Sequence, residues 1–461
     1  MIILEIKCLK RASWLEASKF EQEGDFSVDE VYAPVAKITT VRLLLALSNK
    51  FNLFIHQVDI CNAFLNGHLS GNVYINVPDG IYPDLDCNEN VLKLSKALYG
   101  LKQAPKLWSS EFNKFICASG FVSSASDECL YIYSKDGVIV YLLLYVDDIL
   151  ICSKNLKDIE DIKSKINSKF KCRDLKVIKK FLGINVEYEK DGGVLKIGQI
   201  DLINKVAARF NVTDSHPVLT PIEKGIKLVR CSDKSKVTSK PYRELVGCLV
   251  YIMLSSRPDI CFSISYFSQF QDGATDEHFK YLLRVLKYVY TTRDSKLTYN
   301  RVASNVCLEV YCDTDWANCI ETRRSVSGCC ALIYGSPILW FSRKQNLVTL
   351  SSTEAEMVAL CSSVRETVWL KRILSEFNID CNENCFIYED NQSCIDLIKN
   401  GRWNSRRSKH IDTEYRFVVE KYCIDHFIVK YVPSSLQKAD FFTKAESRIN
   451  FYSFRNMLNL M

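Results

Sequence analysis

The chain has 461 residues, 48% hydrophobic and 25% charged, with a formal net charge of +6. That length exceeds one ordinary domain, so two or three are expected, and the composition excludes a disordered or fibrous chain in favour of a sizeable core. The mild basicity permits a nucleic-acid partner without arguing for one, and no apolar run reaches the roughly 20 residues of a membrane span.

The 20 cysteines include no C-x-x-C pair, which argues against zinc ribbons, zinc knuckles and dithiol redox chemistry. They are scattered through apolar runs such as 142–152, as small buried hydrophobes of a reducing compartment. The opening M-I-I-L-E-I-K-C-L-K carries charge too early for a secretory signal. An intracellular, cytoplasmic protein is expected.

In chain order, Thr39 or Thr40 is expected to cap a helix carrying Val41, Leu43, Leu44, Leu45 and Leu47. Residues 51–67 read as a strand with Asp59 inside it, where a lone Asp is more often a structural cap than a catalyst. A short strand over 72–77 ends at Pro78. Gly100 and Pro105 punctuate L-Y-G-L-K-Q-A-P-K-L-W (98–108), and a helix is expected from Lys106 through Ala118. Then comes G-V-I-V-Y-L-L-L-Y-V-D-D-I-L-I-C-S (137–153). Its two apolar runs predict a buried β-hairpin with Asp147 and Asp148 at the bend. Adjacent carboxylates there fit either an ordinary solvated turn or a site for a hard divalent cation.

Residues 156–170 have helical spacing, and a strand over 181–188, a D-G-G turn (191–193) and a second strand predict another hairpin. A polar connection over 211–240 leads to helices over 242–254 and 276–290. Lys280, Arg284 and Lys287 on the latter either meet water or follow a phosphate backbone. From Cys307 the pattern is a strand ending in acids, further strands from Val326 to Trp340 broken at Gly335-Ser336-Pro337, and a long helix capped by Ser351 or Ser352. A strand into Glu389-Asp390, a helix from Gln392, a strand over 427–432 and a helix starting within 439–445 complete an α/β order.

Two sets of acids interrupt apolar segments: Asp59, Asp147 and Asp148, then Asp313, Glu356, Asp390 and Asp440. Ligands on different elements that meet at one sheet edge are what two-metal phosphoryl transfer requires. No G-x-x-x-x-G-K-[ST] phosphate loop occurs, and no histidine pairs defensibly with a reactive Ser or Cys.

These residues stand in a longer series of blocks. They are Y-A-P-V-A-K-I-T-T-V-R (32–42), Q-V-D-I-C-N-A-F-L-N-G (57–67), L-Y-G-L-K-Q-A-P-K-L-W (98–108), L-L-L-Y-V-D-D-I-L-I (142–151) and K-F-L-G-I (180–184). Y-R-E-L-V-G (242–247), S-R-P-D-I (256–260), Y-C-D-T-D-W-A (311–317) and L-S-S-T-E-A-E (350–356) follow. E-D-N-Q-S (389–393), S-K-H-I-D (408–412) and Q-K-A-D-F-F-T-K-A (437–445) end the series. From about residue 11 onward the chain resembles the reverse transcriptase and ribonuclease H portion of copia-type LTR-retrotransposon Pol polyproteins.

The resemblance implies an α+β polymerase palm and fingers with a connection, followed by an α/β ribonuclease H-like domain. The boundaries expected are 1–210, 211–305 and 306–461. It implies that Asp59, Asp147 and Asp148 are polymerase metal ligands, that Phe64 is the aromatic gate under the incoming sugar, and that Gln103 contacts the nucleotide. Phe181-Leu182-Gly183 would grip the primer. Asp313, Glu356, Asp390 and Asp440 would hold the ribonuclease metals, with Glu356 preferred over its neighbour Glu354, and His410 in a structural or substrate-positioning part. Two Mg2+ ions per site are implied, with Mn2+ as substitute. The implied partners are an RNA or DNA template with primer, RNA–DNA hybrids, dNTPs and other parts of a Gag and Pol polyprotein within a virus-like particle, and no membrane.

The chain also departs from the family. R-A-S-W-L-E-A-S-K-F (11–20) is shifted by one residue, with Glu16 where basic or neutral residues are usual, which leaves Arg11 and Lys19 as weak candidates for a triphosphate contact. The fingers read as truncated, and no D-[ST]-G protease or H-H-C-C integrase motif occurs. A piece of a polyprotein or a gene left by a decayed insertion is expected. The alternative to an enzyme is a catalytically inactive nucleic-acid-binding relic.

Overall fold

A computed structural model describes residues 3–6, 22, 25–76, 91–400, 409–425 and 427–461. Arg11, Glu16, Lys19 and the side chain of His410 lie outside the described residues. The chain forms two compact units, Met1–Thr40 with Phe54–Ile178, and Val41–Leu53 with Lys179–Met461.

The first unit is built on a six-stranded sheet in the order Val122–Ser123, Leu130–Lys135, Val138–Tyr145, Asp148–Ser153, Phe54–Ile60, Cys172–Val177. Every neighbouring pair is antiparallel. Alternation sends Val58, Ile60, Ile149 and Ile151 to one face. There they meet Trp108, Phe112 and Ile116 of the helix Ala104–Ala118, and Ile159, Ile162 and Ile166 of the helix Leu156–Lys169. The i, i+3/i+4 spacing of those residues puts each set on one helix stripe. Each such side chain buried contributes roughly 1.5–3 kcal/mol.

The central hairpin forms as the pattern predicts, but its turn is Val146-Asp147 and Asp148 already opens the second strand. Pro105 sits in the first turn of Ala104–Ala118, two residues earlier than expected, where its missing N–H is harmless. The strand Cys172–Val177 has no hydrophobic signature, because it is an exposed edge with a charged sequence.

The expected cap at Thr39 or Thr40 is corrected, since the helix Ile38–Lys50 begins before both. Thr40 Oγ1 donates instead to Asp127 Oδ2 at 2.6 Å, and the Lys37 N–H donates to the same oxygen at 3.0 Å. A carboxylate from far along the chain thus serves the orphan N–H groups and the positive dipole end.

In the second unit an antiparallel sheet runs Lys180–Phe181, Ile184–Glu189, Val194–Gly198, Leu297–Asn300. It includes the predicted hairpin. A five-stranded sheet follows, in the order Ser336–Lys344, Val326–Ile333, Leu308–Asp315, Cys385–Glu389, Ile428–Tyr431. The first two pairings are antiparallel and the last two parallel. This is the ribonuclease H-like order expected, and the helix Ser352–Glu376 lies against its first strand, Leu308–Asp315. The break expected at Gly335-Ser336-Pro337 is instead a tight turn at Tyr334-Gly335, both at positive φ. Pro337 is tolerated inside a strand because that strand is the sheet edge.

The last helix is Arg448–Met457, started by Ser447, whose side chain accepts from Asn450 N–H. Residues 439–445, expected to begin it, hold only a 3₁₀ turn, Asp440–Phe442. Among the described residues no helix is long and apolar enough to cross a membrane.

Two buried arginines tie this unit together. Arg42 donates to the carbonyls of Ile338 (2.7 Å), Leu254 and Ser255 and lies 3.8 Å over the Trp340 ring. Arg257 makes a two-point pair with Asp259 at 2.8 and 2.7 Å, both side chains essentially without solvent exposure. Tyr288 and Thr292 complete that network. Arg257→Met should cost about 3–5 kcal/mol in denaturant unfolding, because Asp259 is left as an uncompensated buried charge. The exposed Lys180–Asp201 pair is a control whose removal should change stability little.

Candidate active sites

The first acid set forms around the central hairpin. Asp59 pairs directly across from Asp148 in the antiparallel register, so both side chains leave the same face, opposite the helices. The Ile60 N–H donates to Asp147 O at 2.8 Å and fixes the turn beside that strand. Val146 holds φ at +58°, a left-handed value that strains a β-branched residue by on the order of 1–3 kcal/mol. The Trp108 indole N–H donates to its carbonyl at 2.5 Å and clamps it there.

Burial, with added repulsion from Asp59, raises the Asp147 carboxyl above its ordinary range. Asp148 is raised by burial and by both neighbours, against the Gln57 amide donating to its Oδ1 at 2.9 Å.

Phe64, on the 3₁₀ turn Ala63–Asn66, is half-buried with its ring 4.5 Å from that of Tyr99. Tyr99 escaped the sequence reading. Its hydroxyl meets the backbone of Ala63 and Phe64, and burial with the charge of Asp147 raises it. Gln103 precedes the helix Ala104–Ala118, and its Oε1 accepts from Gln22 Nε2 at 2.8 Å. Leu182 and Gly183 form a turn at φ +50° and +71° in the second unit.

The second acid set is tighter. Asp313 lies near the end of Leu308–Asp315, Glu356 on the second turn of Ser352–Glu376, and Asp390 just past Cys385–Glu389. One carboxylate oxygen from each lies within 4.8 Å of the other two. Among the described residues, this is the group of three or more potential ligands gathered so closely. Burial and then the charge of Asp440 push the Asp313 carboxyl up to about 7, against a 2.8 Å bond from Thr443 Oγ1. Glu356 is driven well above the carboxylate range by burial and then by Glu389 and Asp313. Its Oε2 is buried without a hydrogen-bond partner.

Asp440 stands beside this trio on its 3₁₀ turn, ion-paired to Lys444. Asp390 accepts from Ser434 Oγ at 2.7 Å. Glu354 faces elsewhere: its Oε2 accepts from Leu350 N–H at 2.7 Å, and its own N–H donates to Ser351 Oγ at the helix start. Glu389, fully buried and accepting from the Cys312 thiol at 3.2 Å, is an acid the sequence reading passed over. Its signal was the E-D pair at a strand end.

The donors are carboxylate oxygens at both places, the chemistry hard divalent cations take. At the second site the orphaned Glu356 oxygen and the mutual repulsion fit a cation well. Raised folded-state values mean that Asp313, Glu356, Glu389 and Asp440 bind protons more tightly in the folded than in the unfolded chain. The metal-free protein should therefore lose stability as pH rises from the ordinary carboxylate range through about 7. Denaturant unfolding at pH 5 and 7.5 checks this. Asp313→Asn should flatten the slope, and a divalent ion should stabilise more at pH 7.5 than at pH 5.

The reverse transcriptase (RNA-dependent DNA polymerase) family matches residues 5–224. The Pol polyprotein of transposon TNT 1-94 from Nicotiana tabacum is 33% identical over 97% of this chain and 34% of its own length. That of transposon RE1 from Arabidopsis thaliana is 33% identical over 97% of this chain and 30% of its length. The chain thus spans about a third of these relatives. The putative transposon Ty5-1 protein of Saccharomyces cerevisiae is 30% identical and covered over 100% of its length by 67% of this chain. A foamy viral protease-reverse transcriptase solved with an RNA/DNA hybrid aligns at a TM-score of 0.46 and 11% identity, over 89% of this chain and 46% of that one. A relative matched along its whole length and likeness running nearly end to end in this chain place the protein in the copia-type retrotransposon Pol family, as a reverse transcriptase-family region followed by a ribonuclease H-like domain.

Proposed function

We propose that the chain is an RNA-directed DNA polymerase joined to a ribonuclease that cuts the RNA strand of RNA–DNA hybrids. The observation that carries the reading is the pair of carboxylate sets at strand ends, above all the convergence of Asp313, Glu356 and Asp390 around an unpartnered Glu356 oxygen. In the polymerase, Asp59, Asp147 and Asp148 are assigned as the metal-holding acids, with Gln57 orienting Asp148 and Trp108 holding the turn beneath it. Phe64, braced by Tyr99, excludes a ribose 2′-hydroxyl, and Gln103 contacts the nucleotide. In the nuclease, taken as residues 306–461 of the larger second unit, Asp313, Glu356, Asp390 and Asp440 hold the cations. Two Mg2+ ions bound at each place would supply activation of the attacking oxygen and charge stabilisation of the leaving one.

This reading makes a primed RNA or DNA template, dNTPs and hybrids the substrates, other polyprotein segments the partners, and the cell interior the setting.

Primer extension on poly(rA)/oligo(dT) with Mg2+, scored beside hybrid cleavage, tests it. Asp148→Asn should bring extension to background and spare cleavage, whereas Asp390→Asn should do the opposite. Folded wild-type protein that extends nothing would refute the polymerase assignment. Salt-dependent primer-template binding without incorporation would favour the inactive relic instead. Phe64→Val should admit ribonucleotides roughly 10–100-fold more readily relative to dNTPs, read as a ratio of kcat/KM values.

A further inference from the structure

The strands Leu308–Asp315 and Cys385–Glu389 run parallel and pair from Leu308 opposite Cys385 to Tyr311 opposite Tyr388. Past that point the backbone ladder ends, leaving the Cys312 thiol donating to Glu389, and it is there that Asp313 and Asp390 stand. The Gln437 side chain fills the opening. It is fully buried, its Nε2 donates to Cys312 O at 2.8 Å and Tyr388 O at 3.5 Å, and its Oε1 accepts from Ala439 N–H at 3.2 Å. An amide has two N–H donors on one side and an acceptor on the other, so only one orientation satisfies all three partners. Burying it without them would cost the full desolvation of its polar atoms.

That amide lies at the base of the turn Asp440–Phe442. Two further contacts hold the same turn. Gly328 lies so close beneath it that a methyl group there would stand 2.7 Å from Ala439 O, 2.8 Å from Thr443 Cγ2 and 2.9 Å from Phe442 Cβ. Thr443 Oγ1 donates to Asp313 Oδ2 at 2.8 Å, linking the end of the turn to the first ligand. Asp440 is the acid outside the tight trio, so its place depends on how this turn is seated.

We propose that Gln437 is a positioning residue of the nuclease: by bridging the parted strands and the Ala439 amide, it sets the distance of Asp440 from Asp313 and Asp390. The inference rests on the ribonuclease reading and goes beyond it. Gln437 touches neither substrate nor cation. Its effect reaches the chemistry through the fourth carboxylate, and so through the ion in which that carboxylate shares.

The test uses the full chain carrying Gln437→Met, similar in size but without the amide, and Gln437→Glu, similar in shape but without the donors. Mn2+ binding is followed by electron paramagnetic resonance in the absence of nucleic acid. Hybrid cleavage is resolved into kcat and KM, and primer extension reports on the first unit. Loss of a supporting shell around a metal site usually weakens binding or activity about 10–100-fold. The expected result is a loss of that size for the weaker-bound ion and in kcat, with the tighter ion, the KM for hybrid and extension unchanged. If Gln437→Met fails to fold, Gln437→Glu decides by the same readouts.

Wild-type binding of both ions and unchanged kcat in the folded variant would overturn the inference. So would equal weakening of both ions with a risen KM, which is general disruption rather than positioning. A wild-type chain that binds no Mn2+ and cleaves no hybrid would overturn the ribonuclease reading, and this inference with it.

Discussion

Asp313, Glu356 and Asp390 bring oxygens within 4.8 Å of one another inside protein, where charge is poorly screened. Left alone, such acids separate or take up protons, and Asp313, Glu356, Glu389 and Asp440 are displaced upward first by burial and then by the charge of neighbouring acids. The surrounding architecture exists under this constraint. Three of these acids are set by rigid elements: Asp313 on one strand of a central parallel pair, Asp390 just past the end of the other, and Glu356 on the helix laid over them. The fourth comes from a single 3₁₀ turn, and it is the one that needs a buried amide, a glycine contact and a threonine bond to hold it.

The hairpin acids meet the same constraint differently. There the crowding is local, two neighbours in sequence and one across the ladder, so the work falls on one turn. Val146 accepts a left-handed backbone, Trp108 clamps its carbonyl, and the Gln57 amide donates a hydrogen bond to the Asp148 carboxylate. A strained turn tied to a tryptophan in the helix layer places Asp147 through the stability of the whole palm core.

What the sequence made legible was whatever is written locally. The two apolar runs around Asp147-Asp148 predicted their hairpin, and L-S-S-T-E-A-E gave the cap and course of Ser352–Glu376. The position of Glu356 among the acids, and of Glu354 at the helix start, was open to the argument that residues two apart do not share a face. Nonlocal contacts left no such trace. Nothing near Thr40 announces Asp127 as its partner, and Cys172–Val177 is a strand only because Phe54–Ile60 offers it an edge. Residues 439–445 read as the start of a helix until the gap that Gln437 fills is seen, and nothing in the E-D pair at 389–390 marks Glu389 as fully buried.

Residues Val41–Leu53 belong to the second unit although the chain on both sides of them belongs to the first. Arg42 secures them among the carbonyls of Ile338, Leu254 and Ser255, and Asn49 adds bonds to Gly193 and Tyr299. The backbone therefore passes between the units three times, at 40–41, 53–54 and 178–179. A cut of the chain near residue 180 would therefore separate the second unit from residues Val41–Leu53, whose bonds to Gly193, Leu254, Ser255, Tyr299 and Ile338 belong to it, so that unit is not one contiguous stretch of sequence.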